Sequence, residues 1–249
     1  MNRTITYNIG QLPAPMRVST FLKQQGFSTQ TLTELKKNPE TVWLDGQAVY
    51  MNQCVHADQT LTVHILETGT DAITIPVELP VEVMYEDEDI VVVNKPAGMP
   101  THISVHNYDN TLANALAWRY READSPFVFR CTNRLDRDTS GLTVVAKNRL
   151  SAAILGQMVS AKALGGLEAK GIHREYLGIV KGSLDIKDGV IDAPLSRKPG
   201  SILERQVDWK YGDRAVTHYH VVAEQNGYSL LDLQLETGRT HQILSLIHI

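Results

Sequence analysis

The chain has 249 residues, of which 43% are hydrophobic and 21% are charged, and its formal net charge is −4. These values exclude a disordered chain, a collagen-like repeat and a protein that coats nucleic acid indiscriminately. Each apolar run is shorter than the roughly 18 residues of a membrane span, so we expect a cytoplasmic protein that does not enter a membrane. Cys54 and Cys131 are far apart and lack Cys/His ligand spacing, which predicts reduced thiols and no zinc site.

The first part of the chain predicts two helices and a small sheet. Apolar residues at helical spacing follow Arg17, Gly26 interrupts the pattern, and a second helix is predicted around Thr31–Lys37. Strands are predicted at Val42–Leu44 and Leu61–Ile65. A stretch rich in Pro and polar residues then predicts a linker, so we divide the chain into a module at 1–70, a linker at 71–80 and a larger domain at 81–249.

The larger domain alternates strands with a few helices. Ile90–Val93 predicts a buried strand, Thr111 is the predicted N-cap of a helix over Leu112–Arg121, and the acidic block that includes Glu86–Asp89 predicts a solvated face. Further elements are a strand at Leu142–Ala146, a helix at Ser151–Leu164, and strands within Gly171–Gly182, Asp185–Pro194, Gln206–Tyr211, Ala215–Ala223 and Tyr228–Glu236. Together they predict an α+β fold with a mixed, mostly antiparallel sheet and flanking helices, preceded by a small α/β module.

The loop before Leu142–Ala146 holds the candidate catalytic residue, Asp136. Positive charges outnumber the two carboxylates across this stretch, which suits a polyanionic substrate. The cations are Arg130, Arg134, Arg137, Lys147 and Arg149. His102 and His106 are four residues apart, but they lie in a loop without a third ligand, so no metal is expected. A hydrolase using Asp136 lacks support, because the chain has no Ser/His/Asp order and no nucleophile elbow.

The segment Asn133–Gly141 resembles the signature of RluA-type pseudouridine synthases, whose usual form begins with His rather than Asn. Three further segments are similar to motifs of that family in the same order: Asn94–Gly98, Arg174–Tyr176 and Thr237–Ile243. In the first module, Val42–Val49 resembles an S-four-like RNA-binding module, although basic residues are few there and a module that merely packs is the alternative.

The resemblance implies a uridine-to-pseudouridine isomerase that acts on structured RNA, ribosomal RNA above all, as a monomer without a cofactor or a metal. Asp136 would be the catalytic aspartate, either by forming a covalent bond to the sugar or by taking a proton from the neighbouring sugar carbon. Tyr176 would stack on the uracil and can accept a proton in the last step. Arg134, Arg137 and Lys95 are the predicted RNA contacts, with an exposed lysine of no specific role as the alternative for Lys95.

The last motif departs from the family after Ile243. The family continues with an arginine that pairs with the catalytic aspartate, whereas this chain has Leu244 and an apolar end, Leu244–Ile249, which we interpret as a truncation. Arg239 is the candidate substitute for that arginine, and capping of the strand-to-helix turn is its alternative role. A catalytically impaired RNA-binding protein is therefore the rival prediction.

Overall fold

A computed structural model describes residues 1–69, 74–165, 171–201 and 204–248, without the side chains of 161–165. The chain divides into two compact units, Met1–Gly156 and Gln157–Ile249. Part of the predicted linker, residues 71–73, and the terminal Ile249 lie outside the described residues. Within the described ranges, no helix combines the length and the apolar composition that a membrane span requires.

The first unit begins with a four-stranded antiparallel sheet and two helices, which we call the N-terminal module (residues 1–67). The sheet has the order β1-β6-β3-β4, and a two-stranded ladder joins β2 to β5. The elements are β1 (Arg3–Asn8), β2 (Met16–Arg17), α1 (Val18–Gln24), α2 (Thr29–Lys37), β3 (Val42–Leu44), β4 (Gln47–Ala48), β5 (Cys54–Val55) and β6 (Thr60–Ile65). Both predicted helices and both predicted strands are confirmed, whereas β1 was not predicted.

A second antiparallel sheet of the first unit, with the order β7-β8-β10-β9, carries the candidate catalytic loop. Its strands are β7 (Glu82–Glu86), β8 (Ile90–Lys95), β9 (Arg130–Cys131) and β10 (Gly141–Ala146), and its helix is α3 (Leu112–Arg119). Thr111 caps α3 in a reciprocal capping box with Asn114, as the sequence predicts. The described part of the predicted linker packs on α3, because Val77 N donates to Asn114 O at 3.2 Å and Leu79 joins the apolar core of this sheet.

The helix α4 (Arg149–Gly165) follows β10 directly and crosses the boundary between the two units. The second unit contains a third antiparallel sheet, with the order β11-β16-β15-β12, and a short ladder of β13 with β14. The elements are β11 (Glu175–Lys181), β12 (Asp188–Asp192), β13 (Leu195–Arg197), β14 (Arg205–Val207), β15 (Val216–Gln225), β16 (Tyr228–Leu235) and α5 (Gln242–His248). The predicted α+β class with mostly antiparallel pairing is confirmed.

One predicted strand is too long. The sequence predicts a strand through Tyr211, but β14 ends at Val207 because Asp208 begins a turn. The Asp208 carboxylate accepts hydrogen bonds from the backbone N–H groups of Lys210 and Tyr211, both at 3.0 Å. An aspartate that bonds its own following backbone favours a turn over a strand.

Candidate active site

Asp136 lies in a loop that is fixed on both sides. The preceding residue, Leu135, is buried, and its carbonyl accepts a hydrogen bond from Thr101 Oγ1 at 2.8 Å. On the other side, Thr139 N donates to Asp136 O at 3.1 Å, which closes a tight turn before β10. Asp136 itself is half-buried. The chain therefore presents this carboxylate from a loop whose backbone is tied to the sheet rather than from a free surface loop.

Lys95 ties the same loop to the end of β8. Its side chain has no exposed surface, and its ammonium donates to the carbonyls of Pro96 at 2.9 Å, Met99 at 2.7 Å and Arg137 at 3.1 Å. Burial lowers the pKa of Lys95, and the negative charges of Asp138 and Asp136 act against that effect. In this arrangement the three donors of the ammonium are directed at backbone carbonyls, and the phosphate contact of Lys95 stays a prediction.

Asn133 holds the start of the loop against β10. Its Oδ1 accepts a hydrogen bond from Val144 N at 3.0 Å, and its Nδ2 donates to Leu142 O at 3.1 Å. The side chain therefore continues the pairing of β9 with β10 where the backbone of the loop has already turned away. This is the position at which the sequence departs from the usual histidine, and asparagine fills it with a donor and an acceptor.

Most of the cations around Asp136 have acidic partners. Arg130 and Arg149 contact Glu67, Lys147 contacts Glu86, and Arg137 makes a two-pronged contact with Asp138 at 3.0 and 2.9 Å. Within the described ranges, Arg134 is the member of this set that forms no ion pair, and its side chain is exposed. The local excess of positive charge that the sequence predicts is therefore largely neutralised, and Arg134 is the cation best placed to meet a polyanion.

The acidic block predicted to be a solvated face is only partly solvated. Glu86 accepts hydrogen bonds from Lys147 Nζ at 2.8 Å, Tyr120 Oη at 2.6 Å and Arg119 Nη2 at 2.7 Å. Burial raises the pKa of Glu86, but these three donors outweigh burial and lower the pKa to about 2. The prediction fails at Glu86 because its basic partners lie outside the block in sequence, Arg119 on α3 and Lys147 after β10.

In the second unit, Tyr176 occupies the half-buried face of β11. Tyr176, Gly178 and Val180 share this face, as the sequence predicts, while Leu177 and Ile179 point to the exposed side. Tyr176 pairs with Leu233 of β16 in register. The strand therefore holds the aromatic ring on a regular, hydrogen-bonded element, which is a more precise support than a loop.

The Thr237–Ile243 motif forms a turn whose centre is the buried side chain of Gln242. Its Nε2 donates to Val216 O at 3.1 Å and to Thr217 Oγ1 at 2.9 Å, and its Oε1 accepts from Thr237 Oγ1 and Arg239 N at 2.9 and 3.0 Å. All four polar capacities of the amide are used, which fixes the turn to the start of β15.

Arg239 is attached to the same region by its side chain. Its Nε donates to Arg214 O at 3.0 Å, and its Nη1 lies 3.7 Å from Asp213 Oδ2. The guanidinium is 43% exposed and therefore keeps contact with solvent. Within the second unit, these contacts favour the structural alternative for Arg239 over the role of a replacement arginine.

Arg174 is a cation near Tyr176 to which the sequence pattern gives no role of its own. Its Nη2 donates to Glu236 O at 3.3 Å, and a Cβ at Gly238 would overlap its Nη1. Burial lowers the pKa of Arg174, whereas the charge of Tyr176 raises it, so the two side chains are electrostatic neighbours. The sequence signal was the Arg174–Tyr176 motif itself, which places both side chains on one face of the chain.

The first unit thus brings Asp136 together with Lys95, Arg134 and Arg137, and the second unit brings Tyr176 together with Arg174 and the Arg239 turn. Of the two histidines four residues apart, His102 packs edge-to-face on Phe129, with ring centroids 5.1 Å apart. Among the described residues, no group of three His, Cys, Asp or Glu side chains could hold a metal ion.

Comparisons with known proteins agree with these motifs. Residues 89–247 match the family model described as RNA pseudouridylate synthase. The chain belongs to the RNA pseudouridylate synthase family. It is 36% identical over 218 residues to a ribosomal large subunit pseudouridine synthase D of Xanthomonas campestris, covering 87% of this chain and 62% of that protein. It is 32% identical to the RNA pseudouridine synthase YjbO of Bacillus subtilis, with 92% and 77% of the two chains covered.

The fold of this family member is similar to that of human RNA pseudouridylate synthase domain containing 1, with a TM-score of 0.52, 21% identity, and coverage of 72% of this chain and 66% of that one. At that identity the likeness concerns the fold alone. The chain spans about three fifths of the length of its Xanthomonas relative, with 62% covered.

Proposed function

We propose that the protein isomerises uridine to pseudouridine in structured RNA, and ribosomal RNA is the proposed substrate. The observation that carries the proposal is the fixed presentation of Asp136, which lies within the residues 89–247 that match the family model and is held by the Thr101–Leu135 hydrogen bond and the Lys95 contacts. The name of the Xanthomonas relative supports a ribosomal substrate. The proposed setting is the cytoplasm, and the proposed form is a monomer that needs no cofactor and no metal.

The reaction breaks the bond between N1 of uracil and C1′ of the ribose, rotates the base and joins C5 of uracil to C1′. A base inside a helix cannot turn in this way, so the nucleotide must leave the stack. Asp136 has two possible roles: its carboxylate attacks C1′ and carries the sugar as an ester, or it removes the proton from C2′. In both routes the proton on C5 leaves at the end, and Tyr176 is the proposed group that stacks on uracil and accepts it.

Binding of the RNA is proposed to use Arg134 first and Arg137 second. Arg134 is exposed and has no ion pair within the described ranges, whereas Arg137 must leave Asp138 to meet a phosphate. The predicted module at 1–70, which includes the N-terminal module (residues 1–67), is proposed to be an S-four-like RNA-binding module, with the larger domain at 81–249 as the catalytic one.

A second candidate is a catalytically impaired RNA-binding protein. Two points favour it: the resemblance implies an arginine where this chain has Leu244, and the Nε of Arg239, the candidate substitute, donates to Arg214 O. Mapping of pseudouridine in ribosomal RNA transcripts separates the candidates. New pseudouridine after incubation with the protein supports the synthase, whereas RNA binding without any product supports the impaired protein and contradicts our first proposal.

A further inference from the structure

The N-terminal module packs on the helix that follows the candidate catalytic loop. Leu150, in the first turn of α4, is buried in the same apolar core as Val18, Leu22 and Val63 of the module. One turn later, Ile154 faces Gly26, which has a φ of +92°. A Cβ at Gly26 would lie 2.7 Å from Ile154 Cγ1, so helix and module meet without room for a side chain. The module therefore shares its apolar core with α4, the helix that follows β10.

A buried carboxylate joins the module to both ends of the loop-bearing segment. The side chain of Glu67 is 1% exposed and lies 2.7 Å from Arg130 Nη1 of β9 and 3.1 Å from Arg149 Nη2 of α4. Arg149 Nε also donates to Glu67 Oε1 at 3.2 Å. Burial raises the pKa of Glu67, but the contact with Arg130 and the charges of Arg130 and Arg149 outweigh it and lower the pKa. A buried charge of this kind is retained only while its partners stay in place.

A second polar cluster lies between the module and β8. Arg3 of β1 contacts Asp89 through two nitrogens, at 3.1 and 3.2 Å, and Glu88 at 2.6 Å. Asp89 also accepts hydrogen bonds from Asn148 Nδ2 at 2.8 Å and Ser151 Oγ at 3.1 Å. Asp89 thus connects β1 of the module with Asn148, which lies between β10 and α4, and with Ser151 of α4.

We propose that the Glu67 and Arg3 clusters hold the N-terminal module rigidly against the catalytic sheet, an attachment that we call the lock. This lock selects the RNA because it fixes the position of the module relative to Asp136. The part of the proposal that concerns RNA rests on the proposed function. Glu67, Arg130 and Arg149 are then positioning residues. A rigid, folded RNA makes two contacts, one with the module and one at Asp136, and it can make both only when its shape matches their fixed separation. A short hairpin needs only the contact at Asp136.

The mobility of the module can be measured through Cys54. This thiol is exposed on the module, whereas burial raises the pKa of Cys131 to about 12, so a maleimide dye at neutral pH labels Cys54. Time-resolved anisotropy should then show slow tumbling of the dye with the whole first unit. Glu67→Gln and Arg3→Met should each add a fast component. Glu34→Gln, which removes only the exposed Glu34–Lys37 pair at 2.8 Å, should not.

Arg3→Met provides a second test in case Glu67→Gln unfolds. In Arg3→Met, Asp89 keeps its hydrogen bonds from Asn148 and Ser151, so we expect this variant to fold. Circular dichroism before and after labelling checks the fold of each variant. A fast module component in the unaltered protein overturns the lock. Folded Glu67→Gln and Arg3→Met proteins that both tumble like the unaltered one overturn it as well.

The RNA part is tested by kinetics on two substrates. With Glu67→Gln, KM for a long structured RNA should rise by roughly tenfold, while kcat and KM on a short hairpin that contains the same uridine stay unchanged. Equal losses on both substrates would show a merely structural role and overturn the positioning proposal. If the unaltered protein modifies neither RNA, the proposed function fails, while the anisotropy result still decides whether the module is locked.

Discussion

Replacement of Lys95 by methionine tests whether this buried ammonium holds the Asp136 loop. Methionine keeps the length of the side chain but removes the three donors, so the carbonyls of Pro96, Met99 and Arg137 lose a partner. A buried carbonyl without a donor, such as Met99 O, costs about 1–3 kcal/mol; the partly buried carbonyls of Pro96 and Arg137 cost less, and release of the buried charge offsets part of the sum. We therefore expect the free energy of unfolding to fall by about 2–4 kcal/mol.

Urea denaturation measures this loss as a lower midpoint at an unchanged slope. Lys23→Met, on the exposed face of α1, is the matched control and should leave the midpoint in place. Thr101→Val removes a single hydrogen bond to the same loop, at 2.8 Å, and should cost about 1 kcal/mol. A Lys95→Met protein with the midpoint of the unaltered protein would refute the assignment of Lys95 as the support of the loop.

Three further outcomes follow from the contacts. Arg134→Ala should weaken RNA binding and reduce the slope of log affinity against log salt by about one. Arg137→Ala should weaken binding less, because Arg137 is paired with Asp138. Equal losses of affinity for the two variants in a filter-binding salt series would contradict this expectation. The pKa of Glu86, lowered to about 2, implies a stability contribution that is full above the ordinary value of 4.5 and is lost as pH falls through about 2. Glu86→Gln should therefore lower Tm at pH 7 but hardly at pH 2, and a pH-independent difference would be evidence against the network. Gly238→Ala should displace the Arg174 guanidinium and reduce kcat, because the added methyl group would overlap Arg174 Nη1. Gly156→Ala is the control and should leave kcat unchanged, since a Cβ at Gly156 would meet no atom within 4 Å. Equal kinetics of the two variants would show that Arg174 tolerates the added methyl group.

The sequence predicted most elements because their signals are local. Apolar alternation located β16, the capping residue Thr111 located α3, and the apolar run Ile90–Val93 located β8. β14 was predicted four residues too long, because the hydrogen bonds that Asp208 makes to its own backbone compete with strand pairing.

The environment of the candidate site was less predictable because it depends on distant partners. Lys95 sits in a segment with Pro and Gly that predicts an exposed turn, and its burial requires the Arg137 carbonyl from 42 residues further on. Arg130 and Arg149 looked available for RNA, but Glu67 lies more than 60 residues before either. No local sequence pattern indicates ion pairs between residues so far apart. A count of charges along the chain therefore overstates the positive potential around Asp136.

The most direct test of the central claim is tritium release from RNA that carries [5-³H]uridine. Joining C5 of uracil to C1′ replaces the C5 hydrogen, so each turnover releases one tritium to water. The unaltered protein should release tritium under single-turnover conditions, and Asp136→Asn should lower the rate by several orders of magnitude while RNA affinity stays nearly the same. Asp138→Asn, which removes the neighbouring carboxylate, should keep measurable release. Substantial release by Asp136→Asn at normal RNA affinity would contradict the assignment of Asp136 as the catalytic residue.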